Sequence, residues 1–101
     1  MDVLYKKADK KNRATGCFVV KNDKGLHTRP STEIVKCASS YKADIRLVYH
    51  KVEVNAKSLL GILMLAAVKG AKVVVTAFGE DADEAVASLV ELSKNKFNMH
   101  Y

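Results

Sequence analysis

The run Gly25-Leu26-His27-Thr28-Arg29-Pro30 sets an imidazole two residues ahead of a guanidinium and three ahead of the chain's single proline. Proline is tolerated in a helix only within the first turn, where its missing N–H had no acceptor to lose. The spacing therefore predicts a helix that begins beside His27. A helix start offers unpaired backbone amides and the positive end of the dipole; with the charged fork of Arg29 it makes a seat for an anion held on or near the ring. Imidazole is a neutral nucleophile near pH 7, so attack on a phosphoryl donor is the chemistry these residues suit. The plainer alternative is a histidine that merely starts a helix beside a solvated arginine, and spacing alone leaves both open.

A second constellation is Asn55-Ala56-Lys57-Ser58-Leu59-Leu60-Gly61-Ile62-Leu63-Met64-Leu65, a serine ahead of an unusually apolar stretch. At about 100° per residue, Ile62 and Leu65 point one way while Leu59, Leu60 and Leu63 cluster well over 90° from them. One face is expected to stay open as an apolar patch for a partner. The competing reading wedges the helix between the sheet and a neighbouring helix and buries it nearly all round. Ser58 reads locally as an N-cap, with phosphorylation as the second possibility. His50 and His100 have no partner at useful spacing and are expected to be solvated.

The elements that must position these residues follow from periodicity. Cys17 to Val20 is a short β-rich run closed by the polar cluster Lys21-Asn22-Asp23-Lys24-Gly25. Thr28 to Ser40 carries apolar residues at Ile34, Val35, Cys37 and Ala38, a helical pattern. Ile45, Leu47 and Tyr49 alternate with polar neighbours, as do Val52 and Val54, which predicts a tight hairpin across His50-Lys51. A short helix runs from Ser58 to about Ala67, a β-branched strand from Lys72 to Phe78, and Gly79 closes it. Asp81 with Glu84 three residues on resembles a capping box for a last helix whose apolar face is Ala82, Ala85, Val86, Leu89, Val90 and Leu92. The order β-α-β-β-α-β-α predicts an α+β open-faced sandwich, a four-stranded antiparallel sheet with three helices on one face.

Composition narrows the function classes. At 101 residues and 49% apolar content the chain predicts a single globular domain. No run approaches the roughly 20 apolar residues of a membrane span, and no secretion signal stands at Met1-Asp2-Val3-Leu4-Tyr5-Lys6-Lys7, so a cytoplasmic monomer is expected. The net charge of +6 suggests an acidic partner such as nucleic acid. Residues 1–16, however, hold five basic and two acidic side chains, and the aromatics are not interleaved with basic residues, which speaks against a base-stacking platform. These sixteen residues read as a polar, flexible leader, 17–94 as the domain and 95–101 as a tail. Cys17 and Cys37 lie twenty residues apart without a Cys-x-x-Cys pair, and the histidines are not at ligand spacing, so no metal and no cofactor is expected.

Two motifs now point the same way. Gly25-Leu26-His27-Thr28-Arg29-Pro30-Ser31 resembles the phosphohistidine motif of HPr, the histidine-containing phosphocarrier family of the bacterial phosphoenolpyruvate-dependent phosphotransferase system. Lys57-Ser58-Leu59-Leu60-Gly61-Ile62-Leu63 resembles that family's regulatory-serine motif, 31 residues from the histidine to the serine. The similarity runs over about residues 17–94, including the Gly70 turn and Gly79-Glu80-Asp81. It implies that His27 accepts a phosphoryl group from Enzyme I and passes it to Enzyme II A-type domains in sugar uptake, a relay and not an enzyme. It also implies that Arg29 stabilises the phosphate, with backbone contacts from Thr28 and Arg29. Ser58 would be the target of an HPr kinase/phosphorylase where one exists, and Leu59, Leu60 and Leu63 the partner-docking patch. Ser31 stands where the family usually has alanine. The different-class alternative is a regulatory interaction module of the same fold with no role in sugar transport.

Overall fold

The computed structural model describes residues 12–99. Four strands, β1 (Arg13–Val19), β2 (Asp44–Tyr49), β3 (Val52–Asn55) and β4 (Lys72–Phe78), form one antiparallel sheet in the order β1-β4-β2-β3. Three helices, α1 (Thr28–Ser39), α2 (Leu59–Met64) and α3 (Ala82–Lys94), alternate with them in the expected order, and a 3-10 turn follows at Lys96–Asn98.

Alternation in the strands explains why only one face is covered. Ile45 and Leu47 of β2 and Val73, Val75 and Ala77 of β4 are buried, whereas Lys72 and Val74 face outward. Ile34 and Ala38 from α1, Ile62 from α2 and Ala85 and Leu89 from α3 complete the core on the buried side. Gly16 lets α3 lie close on β1, since a Cβ there would stand 2.8 Å from Val86 Cγ1.

The β2–β3 hairpin closes through His50 and Lys51, both left-handed at φ 51 and 66, and Tyr49 pairs with Val52. Two left-handed residues give the turn whose twist matches the strands. The exposed His50 ring stacks on Tyr49 with centroids 3.9 Å apart.

Four boundaries differ from the sequence reading. β1 begins at Arg13, so Arg13 to Gly16, expected in the leader, are ladder residues paired with β4; residues 1–11 of that leader lie outside the described residues. Helix α2 ends at Met64 and not near Ala67, because Ala66 turns left-handed (φ 52) and delivers Ala67 to the core. The Asp81 side chain makes no helix cap: its carboxylate accepts the amides of Lys42 and Ala43, each at 2.9 Å. Beside it Gly79 packs so closely on Ala43 that a Cβ would lie 2.9 Å from its Cα. The expected tail is part of the domain as far as Met99. Phe97 is fully buried and meets Phe18 edge to face at 5.4 Å, the Asn22 amide donates to the Lys96 carbonyl, and the Asn98 amide donates to Glu33. His100 lies outside the described residues.

Candidate functional site

The approach to His27 is a backbone held by close contacts. Gly25 adopts φ +69, donates to the Asn22 carbonyl at 3.0 Å, and presses so hard on the segment after α2 that a Cβ would lie 2.4 Å from the Ala67 oxygen. Glycine answers both demands, having no Cβ and free access to positive φ. Leu26 buries its side chain and donates its N–H to Ala67 O at 2.9 Å. His27 follows as the N-cap of α1, extended at φ −78 and ψ −170, with no side-chain cap bond.

That missing cap bond leaves the imidazole uncommitted to its own helix. The ring is half-buried; Nε2 is shielded from solvent and has no hydrogen-bond partner among the described residues. Thr28 and Arg29 are exposed in the first turn, where helical amides precede the first intrahelical acceptor. No acidic residue stands in that turn, so the positive helix end meets no carboxylate of its own turn. The nearby Asp23 carboxylate is engaged by Lys69 at 3.0 Å, and that hydrogen bond holds its pKa below the usual value. Pro30 and Ser31 are buried beneath the turn.

Ser58 caps α2: its Oγ accepts the Gly61 amide at 3.0 Å. The Lys57 ammonium beside it is bound to the Tyr41 carbonyl at 2.7 Å, which ties the start of α2 to the segment following α1. Burial divides the helix as its periodicity requires. Ile62 and Leu65 are inside, Leu60 is 69% exposed, Leu59 37%, and Leu63 is intermediate. Two exposed residues enlarge this apolar surface beyond the sequence reading, Met64 at 69% and Val68 at 61%. Met64 lies about 40° from Leu60 on the helical wheel and was findable there. Val68 had no such signal, because it sits past the helix end; its Cα comes within 2.9 Å of a Cβ built on Gly25, so the apolar surface reaches the loop leading to His27.

The two motifs are thus joined through backbone, the Leu26–Ala67 bond linking the entry to His27 with the exit from the helix that Ser58 begins. His50 stands apart in the hairpin turn at the end of β2. Among the described residues no helix is long and apolar enough to cross a membrane, and no three His, Cys, Asp or Glu gather as metal ligands.

Comparison with known proteins bears directly on this arrangement. Residues 14–95 match a family model described as the PTS HPr component phosphorylation site. Over 68 residues, 67% of this chain and 80% of the relative, the chain is 46% identical to the phosphocarrier protein HPr of Buchnera aphidicola subsp. Schizaphis graminum. Its fold superposes on HPr-C-His from Thermoanaerobacter tengcongensis with a TM-score of 0.83 at 35% identity, covering 87% of this chain and 99% of that one. The phosphocarrier protein HPr from Bacillus anthracis gives 0.74 at 34% identity, covering 78% and 94%. A family match that spans both motifs and nearly all of the described fold establishes that the chain belongs to the HPr family of phosphotransferase-system phosphocarriers.

Proposed function

We propose that this chain carries a phosphoryl group on His27, taken from phosphorylated Enzyme I with phosphoenolpyruvate as the first donor, and delivers it to Enzyme II A-type domains in the cytoplasm during sugar uptake. The observation that carries the reading is the imidazole at the start of α1, uncommitted to a cap, with Nε2 shielded. With that nitrogen turned inward, attack falls to the Nδ1 lone pair: an Nδ1–P bond forms as the bond from phosphorus to Enzyme I breaks. Negative charge on the transferring group then faces the amides of Thr28 and Arg29 and the Arg29 guanidinium, all supplied before the reaction begins.

Ser58 is the regulatory position in this reading. Phosphorylation there sets about two negative charges at the edge of Leu59, Leu60 and Leu63, the surface assigned to docking. A regulatory module without transport function has weaker support, because pure docking has no use for a nucleophile at a helix start. The test is incubation with phosphoenolpyruvate and Enzyme I, followed by intact-mass and phosphorus NMR measurement. One acid-labile, base-stable phosphoramidate on Nδ1 is expected in the parent and none in His27→Ala. A phosphoryl group gained by the variant would remove His27 from the role.

A further inference from the structure

Ser31 is fully buried under the first turn of α1, and both of its donors point back toward His27. Its hydroxyl donates to the Leu26 carbonyl at 3.0 Å and its amide to the His27 carbonyl at 3.1 Å. These two carbonyls belong to the two rigid peptide planes that meet at the His27 Cα. The angle between those planes is set by φ and ψ of His27 alone, so fixing both fixes the direction in which the imidazole leaves the backbone.

Leu26 precedes the N-cap, so its carbonyl lies outside the intrahelical ladder, which begins with the Ser31 amide on the His27 carbonyl. The Ser31 hydroxyl reaches past that first bond and supplies the Leu26 carbonyl with a donor from its side chain. The bond from Leu26 N–H to Ala67 orients the preceding peptide plane and cannot do this work. Alanine in this place would offer no hydroxyl.

We propose that Ser31 is a positioning residue for phosphoryl transfer, holding the His27 backbone so that its ring is pre-aimed at the donor. The assignment rests on the carrier reading of His27. Small errors of aim reduce transfer steeply, because the reaction needs near-contact alignment. Docking through Leu59, Leu60 and Leu63 is not touched by it.

The experiment compares parent, Ser31→Ala and Ser31→Cys in steady-state acceptance of phosphoryl groups from Enzyme I, with backbone 15N relaxation of His27 in each. Cysteine keeps one heavy atom beyond Cβ with only a weak donor, which separates loss of the strong hydrogen bond from loss of that atom. Both variants are expected to lose about fivefold in kcat with KM for Enzyme I within about twofold, and the His27 order parameter should fall from the rigid range near 0.85 toward 0.6. Unchanged kcat in either variant, or an unchanged order parameter, overturns the assignment. If the parent itself gains no phosphoryl group, the carrier reading falls and takes this one with it; a parent that transfers and variants that match it sink the Ser31 assignment alone.

Discussion

Gly25 and Ala67 approach so closely that a Cβ on the first would lie 2.4 Å from the carbonyl oxygen of the second. The loop before His27 is thereby seated on the segment after α2, and the left-handed φ of Gly25 is part of that seating. Gly25→Ala should cost about 1–3 kcal/mol of stability from the combined clash and backbone strain. Phosphoryl acceptance by His27 should fall with it even well below the melting temperature. Urea unfolding and an Enzyme I assay on the same sample check both, and a fully active variant would mean that the loop tolerates displacement.

Arg29 should matter to transfer and little to folding. It is exposed in the first turn of α1, and an exposed arginine contributes about 1 kcal/mol or less to stability. Arg29→Ala and Arg29→Glu are expected to slow acceptance by tenfold or more, with the charge reversal worse, while thermal melting stays near the parent's. A large drop in Tm with normal transfer would recast Arg29 as a structural residue.

For Ser58 the fold and the interface respond to different replacements. Ser58→Ala loses the cap bond to Gly61 and should cost about 1 kcal/mol. Ser58→Asp retains a good N-cap and should melt like the parent, yet its charge beside Leu59 and Leu60 should raise KM for Enzyme I severalfold. Titrating Enzyme I at one ionic strength decides the matter, since equal constants for parent and Ser58→Asp would reduce Ser58 to a cap.

Phe97 predicts the largest stability effect. The ring is fully buried against Phe18, so Phe97→Ala should cost about 3–5 kcal/mol. A loss under about 1 kcal/mol in denaturant unfolding would contradict a core role for the turn after α3.

Acid sensitivity should trace partly to Asp81. The Lys42 amide, helped by that of Ala43 and by the charge of Lys57, holds this carboxyl below its ordinary 3.8 despite an opposing contribution from burial. The native state therefore binds the proton more weakly than the unfolded chain does. The stabilisation is full above 3.8 and drains away as pH falls from there through the lower native value. Asp81→Ala should melt lower than the parent at neutral pH and lose less on acidification; Tm followed from about pH 6 to pH 2 will show whether the two curves converge.

What the sequence disclosed depended on whether a signal was local. Alternation placed β2 and β3, β-branched content placed β4, Pro30 located the start of α1, and the helical wheel separated Ile62 and Leu65 from Leu59 and Leu60. Arg13 to Gly16 escaped because half of that edge segment faces outward and the inward positions are Ala14 and Gly16, kept small by the approach of α3. Asp81 had a correct local signature for a cap, and amides 38 and 39 residues earlier in the chain won its carboxylate. Phe97 is a lone aromatic among Asn95, Lys96 and Asn98, with no periodic neighbour to mark it as core; its partner, Phe18, lies in the first strand. At the site the His27 and Ser58 motifs were legible by type and spacing. The bonds of Leu26 to Ala67 and Ser31 were not, since the first joins backbone groups that any residue carries and the second sends a side-chain hydroxyl to a carbonyl five residues back, which no periodicity marks.

The order β1-β4-β2-β3 also sets a timetable. A chain made from its N-terminus presents β1 and His27 early, yet among the described residues β1 pairs only with β4, with Val19 opposite Lys72 and Arg13 opposite Phe78. Until that central strand emerges, β1 has no ladder, and β2 with β3 is an isolated hairpin of marginal stability. The cover for Phe18 arrives later still, with Phe97. A ribosome-bound fragment that already displays His27 thus lacks the sheet against which α1 packs, and that sheet is complete only when β4 and the turn carrying Phe97 close over β1.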